Sequence, residues 1–251
     1  MVQAAGISDR GMKRSNNEDR YLIDTERSFF LVVDGMGGHS AGEVAADLSV
    51  FAIGDFLDRT DEPGEVTWPF GYEIQKSFEF NVLRTALELA NLRVSRSSQE
   101  MTRYAGMGAT AVAVWIRKGV ASFSHVGDCR LYLLRDSLIR QMTTDHTVVQ
   151  EQLNRGIITP GEAKHHTLQH VVTRAIGTRD RLEVELQQFD LSPGDLLLLC
   201  SDGVSDSLDA EQLRQILICE SDLEAASRKL VRVSNERGGQ DNITAVLVRY
   251  E

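Results

Sequence analysis

The sequence predicts an α+β fold built on antiparallel sheets, and three of its features carry that reading. Short β-rich runs recur and are split by turn residues, helical stretches arrive at intervals, and strand and helix do not alternate as a parallel sheet requires. Taken in order, Val2 to Ile7 and Tyr21 to Ile23 read as strands, followed by the apolar run FFLVVDG from Phe29 to Gly35. A helix is expected from about Gly42 to Leu57, with Val44, Leu48, Phe51 and Phe56 near one face. Residues 58–72 are polar, contain Pro63 and Pro69, and read as an irregular excursion. A second helix is expected from about Glu73 to Ser95, carrying Ile74, Phe78, Val82, Ala86, Leu89 and Val94.

The middle of the chain predicts an antiparallel meander. Its three runs, Ala109 to Ile116, Val120 to Val126 and Arg130 to Leu134, are divided by Lys118-Gly119 and Gly127-Asp128. Residues 145–168 interrupt that rhythm with polar helical material. Strands resume at Val184 to Phe189 and Leu196 to Cys200. Helices near Ala210 to Leu217 and Asp222 to Glu236 precede a last strand, Ile243 to Tyr250. Trp115 is expected to be buried in its strand, whereas Trp68 either packs locally or marks a contact surface.

Composition narrows the function classes. The 251 residues carry 27 basic and 37 acidic side chains, a formal net charge of -10, which opposes binding to a phosphate backbone. No apolar run approaches the roughly 20 residues that span a bilayer, and the first residues form no signal peptide. Cys129, Cys200 and Cys219 are scattered and form no CxxC, which argues against a disulfide framework or a thiolate zinc site. The chain is therefore expected to be cytoplasmic, with no nucleic-acid or membrane partner. The lack of an obvious apolar surface stripe points to a monomer.

Aspartates recur where apolar strands end. Asp34 closes FFLVVDG, Asp128 closes SHVGD, Asp202 closes LLLLCSDG, and Asp241 precedes the final strand in GGQDN. Each alone is an ordinary turn residue. Together, with no cysteine beside them, they form an oxygen-rich set suited to Mg²⁺ or Mn²⁺ rather than zinc. Crowded carboxylates repel one another, so such a cluster implies cations. The stretch KRSNNEDR adds Arg14, whose planar fork suits a phosphate dianion, together with Glu18 and Asp19.

The stretches GISDRGMKRSNNED, VVDGMGGHSAGE, GMGATAVAV, SHVGDCRLYLL, TTDHTVVQEQL, VVTRAIG, PGDLLLLCSDGVSD and GGQDNITAVLV run in order from Gly6 to Val248. In them the sequence resembles the PPM (PP2C-type) family of metal-dependent protein serine/threonine phosphatases, in its bacterial single-domain form. The resemblance implies a four-layer α-β-β-α sandwich with two central antiparallel sheets. It also implies a single domain over residues 1–251, because Arg14 and Asp241 must meet in one site. Asp34 resembles the carboxylate that bridges two metals, and Gly35 the residue that lends a backbone carbonyl to the second. Glu18 and Asp19 match the acidic pair near that second metal, while Asp202 and Asp241 match the ligands of the first. Asp128 with Asp202 matches a weaker third site. Arg14 matches the arginine that holds phosphate, and residues 145–168 correspond to the flap beside the site.

The activity so implied is hydrolysis of phosphoserine and phosphothreonine in proteins by a water shared between two ions about 3.5–4 Å apart. No phosphoenzyme forms. The expected partners are phosphorylated proteins, products of an opposing Ser/Thr kinase. One departure stands out: Met36 occupies the position where many eukaryotic relatives place a histidine proposed to protonate the leaving oxygen, and His39 does not match it. Cys129 stands where relatives usually have serine.

Rival readings fail on particulars. Gly38-His39-Ser40-Ala41-Gly42 has the form of a nucleophile elbow, but the strand ends too early for Ser40 to sit at its tip. Gly35-Met36-Gly37 lacks the third glycine of a dinucleotide loop, since Ser40 falls there. His166 and His170, four residues apart with no acidic partner in a motif, read as a polar flap helix. The alternative from another class is a catalytically weak binding module, which would be expected to have lost its carboxylates.

Overall fold

The computed structural model describes residues 1–38, 41–60, 66–163 and 166–251. Along the chain the strands are β1 (Val2–Asp9), β2 (Asp19–Asp24), β3 (Phe29–Met36), β4 (Gly108–Arg117), β5 (Val120–Val126), β6 (Arg130–Arg135), β7 (Leu138–Gln141), β8 (Glu185–Asp190), β9 (Leu196–Cys200) and β10 (Ile243–Tyr250). The helices are α1 (Ala41–Asp58), α2 (Phe78–Glu100), α3 (Val148–Asn154), α4 (Pro160–Ala163), α5 (Asp202–Ser205), α6 (Ala210–Cys219) and α7 (Leu223–Glu236). His39, Ser40 and Pro63 lie outside the described residues, as do parts of the 58–72 excursion and of the 145–168 flap.

The strands form two five-stranded sheets, ordered β1-β10-β9-β6-β7 and β2-β3-β4-β5-β8, with antiparallel pairing throughout. Side chains alternate across each strand, so a strand covered on both faces must be apolar at every position. β3 meets this requirement. Phe29, Leu31 and Val33 pack under α1 and α2, while Phe30 and Val32 face the other sheet beside Val112, Leu131, Leu199 and Val246. On the far side, Leu198, Cys200, Ala245 and Leu247 pack under α6 and α7 through Leu213, Ile216, Ala226 and Leu230. The result is the expected α-β-β-α sandwich.

Three local expectations change. The buried side of α1 consists of Ala41, Gly42, Ala45, Ala46, Ser49, Ala52, Ile53, Phe56 and Leu57, whereas Phe51 is 60% exposed beneath the Arg93 guanidinium, 4.9 Å away. Small residues make up much of that contact because α1 packs directly on α2 and β3, with Ile53, Phe56 and Leu57 buried among them and Val44 and Leu48 half-buried beside them. The second helix begins at Phe78, capped by Ser77, whose hydroxyl accepts from the Phe80 N–H. Asn81 holds Glu73 and Ser77 in the preceding turn, which leaves Ile74 outside the helix and 88% exposed. The expected meander stops after β5: β6 pairs with β9 and β7 in the opposite sheet. The chain crosses at Gly127, where φ is +94° and an added Cβ would strike the Thr110 side chain.

Trp115 is buried, as expected. Trp68 packs locally, edge to face against Phe56 and Phe78 at centroid distances of 5.9 and 6.0 Å.

Two glycine substitutions should shift stability in opposite directions. Gly203→Ala in α5 drives a methyl into the Asn242 carbonyl, at an expected cost of about 1–3 kcal/mol. Gly54→Ala in α1 meets open space and should gain about 0.5–1 kcal/mol. Urea unfolding of both variants checks the pair of signs.

Candidate functional site

One end of the sandwich collects the ends of strands from both sheets. Antiparallel register sets Asp19 of β2 opposite Asp34 of β3, and Asp34 opposite Thr110 of β4, so these side chains share a face. β5 ends just before Gly127-Asp128, and β9 ends just before Ser201-Asp202, where α5 starts. Asp241 and Asn242 lead into β10. Residues distant in sequence thus meet because their strands finish at the same end.

Polar side chains lock this end together. Ser201 Oγ donates to Asp19 Oδ2 at 2.7 Å and accepts from the Thr244 N–H at 3.1 Å, which ties the two sheets to each other. Asn242 organises the loop that carries Arg14. Its Nδ2 donates to the carbonyls of Arg10 and Asn16, each at 2.8 Å, and its Oδ1 accepts from the Glu18 N–H at 2.8 Å. Gly35 donates its N–H to the Glu18 carbonyl at 3.2 Å, and any Cβ on Gly35 would collide with the backbone of Gly42 and Glu18. The Glu18 carboxylate reaches the first turn of α1, where it accepts from the Glu43 N–H and lies against Gly42.

The carboxylates strain against each other. Burial first, then repulsion from Asp19, Asp202, Asp128 and Asp241, holds Asp34 well above the usual carboxylate range. Asp202 is raised in the same way by burial, Asp128, Asp206, Asp241 and Asp19. Burial pushes Asp19 up to about 6 against the hydrogen bond from Ser201, and burial with Asp145 pushes Asp128 up to about 6. Arg14 supplies the compensating cation: its guanidinium donates to Asp241 Oδ2 at 2.6 Å while half of its side chain stays exposed.

This site fits divalent cations on its own chemistry. Its donors are all oxygens, and Asp19 Oδ1 and Asp202 Oδ1 are buried without a hydrogen-bond partner. The structure brings Arg14, Glu18, Asp19, Asp34, Gly35, Asp128, Asp202 and Asp241 to one end of the fold. Among the described residues, Asp202 alone of them belongs to a donor triplet within 4.8 Å, together with His170 and Asp206.

Sequence reasoning missed several contributors. Asp206 lies one helical turn beyond Asp202 and pairs with His170 Nδ1 at 3.3 Å. The spacing SDGVSD held that signal. His166 and His170 do not share a helix, because α4 ends at Ala163 and residues 167–170 form a turn. Asn242 and Ser201 adjoin quoted aspartates, but their partners are far off in the chain. A second triplet, His125, His146 and Glu185, fastens the flap base to β5. The two rings stack at 4.5 Å; His125 Nε2 faces the Thr144 carbonyl, and His146 Nδ1 accepts from the Gly127 N–H at 3.1 Å. His146 Nε2 faces Glu185 Oε2 at 3.2 Å and Arg174 Nη1 at 3.3 Å, so the chain's own groups occupy this triplet.

Fold and site together define a two-sheet sandwich with an all-oxygen site suited to divalent cations at one end of its strands. The family model described as Protein phosphatase 2C matches residues 11–248, and the chain belongs to that family. It is 34% identical to protein phosphatase PhpP of Streptococcus pneumoniae over 247 residues, covering 96% of this chain and 95% of that one. The solved structure of the Streptococcus agalactiae serine/threonine phosphatase superimposes with a TM-score of 0.89 at 31% identity, covering 100% of both chains. That of the catalytic domain of serine/threonine phosphatase PstP in complex with two manganese ions gives 0.83 at 32% identity, covering 99% of this chain and 97% of that one. Among the described residues, no helix is long and apolar enough to cross a membrane.

The raised carboxylates set a pH dependence. A group whose folded pKa exceeds its unfolded value stabilises the fold below the unfolded value, near 4, and loses that contribution as pH rises through the folded one. With Asp19 and Asp128 at about 6, the metal-free protein should lose stability between about pH 4 and 6. The gain in Tm on adding Mn²⁺ should grow over the same interval. Thermal melts in EDTA and in Mn²⁺ across that range check both trends.

Proposed function

We infer that the chain is a divalent-metal-dependent protein serine/threonine phosphatase acting on phosphorylated proteins. The observation that carries this reading is the convergence of Asp34, Asp202 and Asp241 with Arg14 at one end of the sandwich. In our assignment Asp34, Asp202 and Asp241 would hold one ion, and Asp34, Glu18, Asp19 and the Gly35 carbonyl would serve a second. Asp128 with Asp202 offers a third site, to which the neighbouring Asp206 adds charge. Either Mn²⁺ or Mg²⁺ suits such oxygen donors. Bound there, the ions supply an activated water at neutral pH and Lewis-acid stabilisation of the phosphoryl oxygens.

The chain's own residues supply orientation. Arg14 stands half exposed beside the carboxylates, able to turn from Asp241 to a phosphate and hold it through its fork. Met36 has no exchangeable proton and takes no part in protonating the departing oxygen. We read residues 1–251 as one working domain, monomeric and cytoplasmic, opposed by a Ser/Thr kinase. A binding module without activity would not need to maintain buried carboxylates that repel one another.

Phosphate release from a phosphothreonine peptide should require Mn²⁺ or Mg²⁺ and vanish in excess EDTA. Asp202→Ala and Asp241→Ala should each lose at least about 100-fold in turnover, and Arg14→Ala about 10²–10³-fold in kcat/KM while still binding metal. Turnover near wild type in both aspartate variants would refute the assignment.

A further inference from the structure

Beside the loop that carries Arg14, a groove of about 480 Å³ runs along α7, lined by Met12, Arg228, Val231, Arg232, Asn235 and Glu236. Its position is fixed by the backbone, since Met12 and Lys13 both donate N–H to the Gly239 carbonyl just past the helix. Its floor is apolar and its rim carries Arg228 and Arg232, each in an exposed ion pair. Met12 is 67% exposed over Val231, and Arg228 and Arg232 stand on the open side of α7 with side chains 60% and 64% exposed. Lys13 and Arg14 continue the positive face toward the carboxylate site. In a chain of net charge -10, Lys13, Arg14, Arg228 and Arg232 bring this face to balance against Asp222, Glu224, Glu236 and Asp241.

We propose that this groove docks the phosphoprotein substrate, receiving an extended acidic segment that carries one apolar side chain. The inference rests on the phosphatase reading and adds its substrate class. Arg14 marks where the phosphate lies, and Met12 is two residues away. α7 rises about 1.5 Å per residue, so Arg232 and Arg228 lie about one and two turns beyond the end of the groove nearest Asn235. An extended peptide advances about 3.3 Å per residue and reaches that stretch three to five residues from its phosphorylated one. The apolar side chain covers Met12 and Val231, and carboxylates replace the groove's own acids. Those are Glu236, 3.6 Å from Arg232, and Glu224 and Asp222, 3.1 and 3.9 Å from Arg228. Such exposed pairs are weak and exchange readily.

The test compares the Mn²⁺-loaded wild type with Arg228→Glu/Arg232→Glu and with Met12→Ser. Three substrates are used: p-nitrophenyl phosphate, a phosphothreonine peptide flanked by Asp and Leu, and one flanked by Lys and Ser. The charge reversal should lower kcat/KM on the acidic peptide about five- to tenfold through KM, most strongly at low salt. It should leave p-nitrophenyl phosphate unchanged and improve the Lys-flanked peptide. Met12→Ser should lower kcat/KM on the Leu-bearing peptide alone. Unchanged kinetics on the acidic peptide, or an equal loss on p-nitrophenyl phosphate, would overturn the docking while leaving the phosphatase reading in place. A wild-type dimer abolished by the charge reversal would overturn it too, by making the groove a self-interface. No turnover of p-nitrophenyl phosphate by wild type would instead remove the phosphatase reading, and the docking with it.

Discussion

Burial of Asp19, Asp34, Asp128 and Asp202, compounded by repulsion among them and from Asp241, is the constraint around which this end of the fold is arranged. Carboxylates at the edge of an apolar core, short of water and close to one another, cannot all ionise without a counter-charge. The sandwich holds them there regardless. Asp19 and Asp34 are fixed by the β2–β3 register, Asp202 by the end of β9, and Asp241 by the lead into β10. Each strand has apolar neighbours on both faces, so none can slide to relieve the crowding. Binding of cations is how such a scaffold recovers what the repulsion costs.

The hydrogen bonds at this end place the donors. Ser201 joins Asp19 to β10, and Asn242 spans the loop from Arg10 to Glu18. Removing Asn242 would free the segment that carries Arg14 and Glu18 without touching any of the carboxylates. Gly35 and Gly203 serve the same end sterically, since at both positions a side chain would hold the backbone of two segments apart.

Much of this was legible in the sequence, for a physical reason. Strand ends marked by Asp-Gly or Gly-Asp survive as signals because a strand buried on both faces reads as an unbroken apolar run, as in Phe29–Val33 and Leu196–Cys200. What stayed illegible depends on distant partners. Nothing near Asn242 announces Arg10, and nothing near His170 announces Asp206. The face of α1 was misjudged because closeness to α2 favours alanine over the larger residues that amphipathic patterning weighs most. The passage of β6 into the other sheet turned on one left-handed residue, Gly127, whose sequence reads equally well as a hairpin turn.

The most direct measurement is the unfolding free energy of Asp34→Asn against wild type at pH 8, in EDTA and in saturating Mn²⁺. If repulsion at Asp34 governs this end of the fold, the variant will be more stable than wild type without metal and will gain far less from Mn²⁺. A variant less stable than wild type in EDTA, with an undiminished gain from Mn²⁺, would contradict the account.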